Sequence, residues 1–571
     1  MRKPAAICLL ACIVSITCNT VKTSTALANI NPYQYRIQKK VICEKGAVVS
    51  AHPLASQVGL EILKNGGNAF DAAIATQLAL AVVYPNAGNI GGGGFMVARE
   101  ANGRLMALDY REAASHKAYR DMYLDANGNA QSEKSVNGHL ASGVPGTVAG
   151  LFATLPYAKL DMKRLIQPAI DLAEFGYTLT DREAQGLNSL QAELKKYNTV
   201  TPAFEKTTPW KSGDTLVQKD LANTLKRIRD NGVSGFYEGE TARLIVEEMK
   251  RGGGILDYDD LKNYKAKFRE PHVFDYKGYT VVGMPMPSSG GILLNQMMKM
   301  VEKRSLGTLG FHTLQSVQLM TEVERRAYAD RAEYMGDADF YKVPVKKLVD
   351  ENYLAGRMSD YISDKAGSSK EIKPGMIKES EETTHLNVID KDGNAVAITT
   401  TLNNSYGSRT VVGGGGFFMN DEMDDFSIKP GVPNLYGAIG GEANAIAAGK
   451  RMLSSMTPTL VLKDNKPFIV TGTPGGTTIP TSVFQTIINI IDFSLSTEDA
   501  VYKPKFHHQW MPDQIFLEKD FPEQTVQALQ KMGYAIGERE AIGRTEVIKA
   551  LPDGKFEVVA DNRGEDDAEG W

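Results

Sequence analysis

Threonine is a poor nucleophile unless a base stands beside it. The most compact way to supply one is to put the residue at a chain N-terminus, where its own α-amine takes the proton. An α-amine titrates near about 7.7–8.0 and so serves as a base at neutral pH. The run Glu382-Thr383-Thr384-His385-Leu386-Asn387-Val388-Ile389-Asp390, followed by Lys391-Asp392-Gly393-Asn394 and then Ala395 to Asn403, offers such a residue in a defined setting. Two β-rich runs flank a polar turn, and a three-residue loop from Lys391 to Gly393 puts glycine at the left-handed position such loops need. Pairing Asp390 with Asn394 sets His385 opposite Thr399 and Thr383 opposite Thr401, so two threonines meet across the strands on one face. Thr383 lies deep inside the chain. For this chemistry the precursor must cut itself between Glu382 and Thr383, the hydroxyl attacking the Glu382 carbonyl. Strand propensity alone also produces threonine-rich hairpins, so the pattern needs support from elsewhere in the chain.

That support is a series of blocks. They are Asn89-Ile90-Gly91-Gly92-Gly93-Gly94-Phe95, Leu108-Asp109-Tyr110-Arg111-Glu112, Gly143-Val144-Pro145-Gly146-Thr147, Pro287-Ser288-Ser289-Gly290-Gly291, the hairpin, Glu422-Met423-Asp424-Asp425-Phe426, Leu453-Ser454-Ser455-Met456 and Thr473-Pro474-Gly475-Gly476. In kind and order, from about residue 35 to the C-terminus, the chain resembles the bacterial γ-glutamyltransferases, self-cleaving N-terminal-nucleophile hydrolases. The resemblance implies a four-layer αββα sandwich built jointly by two autoproteolytic subunits, a large one at 29–382 and a small one at 383–571 that begins with the nucleophile. It also implies the substrates: glutathione and other γ-glutamyl donors, with water, amino acids or short peptides as acceptors.

A γ-glutamyl donor is held by a free amino acid head, one α-carboxylate and one α-ammonium. A carboxylate calls for a planar guanidinium, and Arg111 matches the family arginine in that role. Ser454 and Ser455 match the serine pair that adds hydroxyl donors, while Asn403, Glu422 and Asp425 match the oxygen acceptors for the ammonium. Gly475 and Gly476 match the pair whose backbone N–H groups hold the oxyanion; a plain tight turn is equally natural for Pro-Gly-Gly. Thr401, placed by the register, assists the nucleophile's hydroxyl. Residues 430–441 match a lid over the donor site, with Tyr436 as the residue that shields the acyl-enzyme. Leu386-Asn387 and Thr477-Thr478 depart from the commoner family wording, which bears on acceptor preference and on the rate of self-cleavage.

The rest of the chain is consistent. Its 571 residues, 42% hydrophobic and 23% charged, are ordinary globular composition, and a net charge of −4 argues against a nucleic-acid binder. Residues 1–28 read as a signal peptide: Arg2 and Lys3, an apolar stretch to about Ile16, then Ala26-Leu27-Ala28, so that the mature chain starts at Asn29 in the periplasm or outside the cell. A lipid anchor on Cys12 or Cys18 is the alternative. Cys43 alone remains after removal, so no internal disulfide forms. The apolar run is too short for a membrane span. Helical periodicity marks 56–83, 147–156, 163–175, 217–230, 239–251 and 312–335; strand signals mark 41–51, 94–110, 277–284, 384–402 and 456–471. Residues 367–382 read as an exposed loop, suited to release of a new chain end.

Other signals carry less. Asp390 to Asn394 lacks the spacing of a calcium loop, the glycine runs at 91–94 and 413–416 lack the Lys that completes a phosphate loop, and His507-His508 point to opposite faces of an extended segment. No metal and no organic cofactor is expected. Two rival functions stay open: a related acylase or hydrolase-only enzyme, and a non-catalytic exported binder of γ-glutamyl peptides.

Overall fold

The computed structural model describes residues 29–372, 383–429 and 441–571. The expectations for the leader 1–28, for Glu382 and for the lid residue Tyr436 lie outside the described residues.

Two seven-stranded sheets form the centre. In the first, here the hairpin sheet, the spatial order is Asp567–Gly570, Gly46–Ser50, Thr384–Asp390, Ala395–Thr401, Gly93–Arg99, Leu105–Asp109 and Lys267–Arg269. In the companion sheet it is Lys40–Cys43, Phe556–Val559, Glu546–Ala550, Lys466–Gly472, Thr459–Lys463, Tyr279–Gly283 and His272–Tyr276. Neighbouring strands in both sheets run antiparallel.

Strand parity sorts the apolar residues into three cores. Val49, Phe95 and Val97 meet Val282, Leu460, Val470 and Ile548 between the sheets. Their chain neighbours point the other way. Val48, Met96 and Val388 pack under helices Ala69–Val83 and Met162–Phe175, and Val281, Val461 and Ile469 under Gly290–Glu302, Leu314–Tyr334 and Thr478–Ile491. Helix, sheet, sheet and helix give the expected αββα sandwich. The jointly built character is equally direct: three strands of the hairpin sheet come from beyond residue 383, and the other four come from the N-terminal part.

The sequence reading merged several elements. The single helix expected at 56–83 is two, Pro53–Lys64 and Ala69–Val83, because Gly66 takes a left-handed φ of 94° and Asn68 caps the second helix in a reciprocal capping box with Asp71. The strand signals at 41–51, 94–110 and 456–471 are each two strands. Within 41–51 the chain crosses from one sheet to the other, Lys40–Cys43 in the companion sheet and Gly46–Ser50 in the hairpin sheet. Among the described residues no helix is long and apolar enough to cross a membrane.

Candidate active site

The hairpin has the anticipated register. His385 pairs with Thr399 and Thr384 with Thr400, Asp390 N–H donates to the Asn394 carbonyl (3.1 Å), and Gly393 sits at φ 85°. One further step along this ladder puts Thr383, 4% exposed, opposite Thr401. By parity both share the face of Ala395 and Ala397, which point into the gap between the sheets. Across that gap lies the end of Lys466–Gly472 and the turn after it. A Cβ on Gly472 would lie 2.1 Å from His385 Cε1, so only glycine lets the imidazole fit between the sheets. The ring is fixed by Thr399 Oγ1 at Nδ1 and Asn387 Oδ1 at Nε2, both 2.9 Å, and burial pushes it down to about 3, so it stays neutral.

Gly475 and Gly476 follow that strand with φ of 132° and 55°, conformations that favour glycine. Their carbonyls turn into helix Thr478–Ile491, accepting from Thr478 N–H (3.0 Å) and Ile479 N–H (3.1 Å). The turn is thus anchored by its oxygens at the helix N-terminus, a setting that suits a developing anion.

Arg111 emerges from the end of strand Leu105–Asp109 and is 1% exposed. Its Nη1 donates to Glu422 Oε1 and its Nη2 to Asp425 Oδ2, both on the 3-10 turn Glu422–Asp425; Nη2 also reaches the Leu453 carbonyl at 3.4 Å. This one guanidinium therefore ties together three segments remote in sequence, the last of which continues into Ser454 and Ser455. Asn403 is close but braces the backbone: its Nδ2 donates to the Asp421 carbonyl (3.0 Å) and its N–H to Thr401 Oγ1 (2.8 Å). Ser454 Oγ accepts from Met456 N–H (3.1 Å).

Two residues escaped the sequence reading. Glu112 is fully buried with Oε2 3.7 Å from Arg111 Nη1. Arg331, on helix Leu314–Tyr334, donates from Nε to Ser289 Oγ (2.8 Å), which in turn donates to the Ser454 carbonyl (2.8 Å). The Pro287–Gly291 block is thereby explained as a brace for the serine pair. Only the acidic neighbour of Arg111 in sequence could have hinted at Glu112; nothing local marks Arg331.

Charge in the pocket is out of balance. Burial pushes Glu112 up to about 7 against the pull of Arg111; it also raises Glu422 well above the carboxylate range and Asp425 above its usual value. Arg111 is itself held charged, its burial outweighed by Glu422, Asp425 and Glu112. Among the described residues Arg111 Nε, Ser455 Oγ, Glu422 Oε2 and both oxygens of Glu112 are buried without a hydrogen-bond partner. Unmet donors on Arg111 and Ser455 together with an unmet acceptor on Glu422 suit a ligand that carries both a carboxylate and an ammonium.

Among the described residues one group has metal-ligand spacing, His116, Asp257 and Asp260. Asp257 and Asp260 already form a helix capping box, and Asp260 also accepts from Ser115 Oγ (2.7 Å). His507 and His508 turn to different partners, Thr481 Oγ1 (2.8 Å) and the Trp510 N–H (3.1 Å).

The glutathione hydrolase proenzyme of Escherichia coli is 45% identical over 545 residues, 94% of each chain. A cephalosporin acylase from Bacillus halodurans superposes with a TM-score of 0.82 at 28% identity, covering 95% of this chain and 98% of that one. The γ-glutamyltranspeptidase of Helicobacter pylori superposes with a TM-score of 0.56 at 44% identity, over 60% of this chain and 96% of that one. The family model described as gamma-glutamyltranspeptidase matches residues 55–571, and the chain belongs to that family.

Proposed function

We propose that the protein cleaves the γ-glutamyl amide bond of glutathione and related compounds and passes the γ-glutamyl group to water or to an amino acid or peptide. The observation that carries this reading is the buried Arg111 guanidinium held between Glu422 and Asp425, with Arg111 Nε, Ser455 Oγ and Glu422 Oε2 left unmet, which suits an α-amino acid head. In the maturation step Thr383 Oγ attacks the Glu382 carbonyl carbon, the peptide C–N bond breaks, and water hydrolyses the resulting ester. Residues 29–382 and 383–571 then form a heterodimer, and the new α-amine becomes the base. The length of this chain covered by the Helicobacter pylori structure, close to that of 29–382, supports such a division.

In turnover Thr383 Oγ attacks the γ-carbonyl as its proton passes to the α-amine, with Thr401 at the hydroxyl and the Gly475 and Gly476 N–H groups at the oxyanion. The C–N bond breaks, the leaving amine takes the proton, and a γ-glutamyl ester remains on Thr383. Water or an amine attacks that ester, the C–O bond to Thr383 breaks, and the hydroxyl is restored. The donor head sits between Arg111, Ser454 and Ser455 on its carboxylate side and Glu422, Asp425 and Asn403 on its ammonium side, and Tyr436 covers it. The leader 1–28 sends the protein to the periplasm or beyond.

The acylase reading has the Bacillus halodurans structure in its favour, but a buried guanidinium among carboxylates suits a charged head better than an aliphatic acyl group. Intact mass under denaturing conditions tests the mechanism. We expect two chains, the smaller starting at Thr383, and for Thr383→Ala a single inactive chain. A parent chain that stays whole on long incubation would mean a stalled precursor or the binding-protein reading.

A further inference from the structure

The two glycines whose N–H groups would face the oxyanion are the least constrained residues of the site, so their aim must be set from elsewhere. In a trans peptide unit the carbonyl and the following N–H point in opposite directions, and holding the oxygen therefore aims the N–H. The unit between Gly475 and Gly476 is flanked by two residues without a Cβ. The unit before it is flanked by Gly475 and by Pro474, whose ring fixes φ but leaves rotation about ψ. Each unit could flip readily if its oxygen were untied.

Both oxygens are tied. Thr473 Oγ1 donates to the Pro474 carbonyl (2.8 Å) and itself accepts from Arg544 N–H (2.7 Å). A backbone N–H can only donate, so the proton of this hydroxyl is committed to the carbonyl. Thr478 donates to the Gly475 carbonyl from its N–H (3.0 Å) and again from Oγ1 (2.7 Å). A Cβ on Gly475 would lie 2.4 Å from that Oγ1, so the glycine admits the very hydroxyl that orients it. Thr473 and Thr478 are both buried, and Thr478 is one of the positions where this chain departs from the commoner family wording. The next peptide unit is held in turn. Tyr328 Oη, on helix Leu314–Tyr334, donates to the Thr477 carbonyl, and Thr477 Oγ1 donates to Gln509 Oε1 (2.8 Å).

Resting on the γ-glutamyl transfer reading, we infer that Thr473, Thr478 and Tyr328 are positioning residues that preset the oxyanion hole. Two chains of hydrogen bonds converge on it. One runs from Tyr328 Oη to the Thr477 carbonyl, from Thr478 N–H to the Gly475 carbonyl, and ends at Gly476 N–H. The other runs from Arg544 N–H through Thr473 Oγ1 to the Pro474 carbonyl and ends at Gly475 N–H. Within each chain the dipoles point the same way and polarise one another, which makes the last N–H a stronger donor. The three side chains act through the turn and not on the substrate. When Thr383 Oγ adds to the γ-carbonyl, the charge developing on the carbonyl oxygen meets N–H groups that are already aimed, and the turn has no reorganisation to make.

The test uses Thr478→Val and Thr473→Val, which keep the branched shape without the hydroxyl, Thr478→Ser and Thr473→Ser, which keep the hydroxyl, and Tyr328→Phe. Each is confirmed by intact mass as cut at Thr383, and initial rates are measured over a range of γ-glutamyl p-nitroanilide. Removing a whole oxyanion donor costs about a hundred- to thousandfold in kcat, so a donor left without its tether should cost about ten- to hundredfold in each valine variant. The donor KM should stay within about twofold, because the contacts of the head are untouched. The serine variants should keep kcat within about threefold of the parent, and Tyr328→Phe, further from the hole, should lose about three- to tenfold. Parent-like kcat in both valine variants would overturn the assignment. Equal losses in the valine and serine pairs would do the same, since the methyl group and not the hydroxyl would then be what matters. If both valine variants stay uncut, Tyr328→Phe decides alone, and a kcat within about twofold of the parent overturns the assignment. A parent protein cut at Thr383 yet inert toward the donor would instead refute the transfer activity on which the assignment rests.

Discussion

Arg111→Lys separates a recognition role from a structural one, and its cost can be worked from the contacts. The guanidinium meets Glu422 through Nη1 and Asp425 through Nη2, while Nε has no partner among the described residues. A lysine ammonium carries its donors on one atom and cannot span both carboxylates while also presenting an N–H to a substrate carboxylate. The charge stays, so the buried acids are not abandoned. Removing the cation altogether, as in Arg111→Met, would cost about 3–5 kcal/mol of stability and confuse the result. One charge-assisted hydrogen bond to the donor is lost, about 1.5–3 kcal/mol, which converts to roughly a 10- to 150-fold rise in donor KM. Because Arg111 touches the head and not the scissile bond, kcat should change much less than KM. The variant should still cut itself at Thr383, which intact mass establishes before initial rates are measured over a range of γ-glutamyl p-nitroanilide. A donor KM within about twofold of the parent, in a correctly cut variant, would remove Arg111 from the site, since losing a charge-assisted bond to a buried carboxylate costs about tenfold or more.

The acid pair beside Arg111 should make donor binding depend on pH. Burial pushes Glu112 up to about 7 and raises Glu422 well above the carboxylate range, so the free site keeps a proton that an α-ammonium must expel. Affinity for L-glutamate should therefore weaken as pH falls below about 7, by up to about tenfold per unit, and strengthen on raising it until the pair is ionised. Competitive inhibition constants measured across that range test this, and Glu112→Gln should flatten the profile; a flat parent profile contradicts the pair. Gly472→Ala should drive a methyl into the buried His385 ring, 2.1 Å from Cε1. We expect a loss of about 1–3 kcal/mol or more with slowed self-cleavage, read from denaturant unfolding and the time course of the cut; parent-like behaviour in both would show that the sheets can part there freely.

The hairpin could be read from sequence because its information is local. A period of two and a glycine at the loop determine which threonines face each other, and the ladder from Thr384–Thr400 to Ile389–Ala395 follows that pairing. The partners of Arg111 were reached only through the family resemblance. Nothing in the spacing of 111, 422 and 425 says that a 3-10 turn will fold back onto the end of a strand more than three hundred residues earlier. Arg331 shows the limit more sharply. In sequence it is one charge among many on a 21-residue helix, yet the helix is buried along most of its length and the side chain reaches the brace behind Ser454. A charged helix reads as a solvated face unless the burial is known. The merged strands failed for a related reason: at 41–51 the residues keep their β character while the chain changes sheets, and propensity carries no record of that crossing.

The proposed position of the cut suits the same topology. Strand Thr384–Asp390 lies between Gly46–Ser50 and Ala395–Thr401, so the residue just before it stands at the end of a central strand that is paired on both sides from Leu386 onward. A chain broken there keeps every ladder of that strand, because all of its partners lie on the retained side of Thr383 or are already folded against it. An N-terminus created at a sheet edge or in a free loop would be mobile, and an α-amine must stay within hydrogen-bond reach of its own hydroxyl, directly or through one water, to act as a base. The interior strand supplies that fixity, and the facing Gly472 leaves room between the sheets for the His385 ring two residues further on. On the proposed mechanism self-cleavage and catalysis make the same demand on the fold, a threonine at the inner end of a central strand with an anion-stabilising turn across the gap, and one arrangement would meet both.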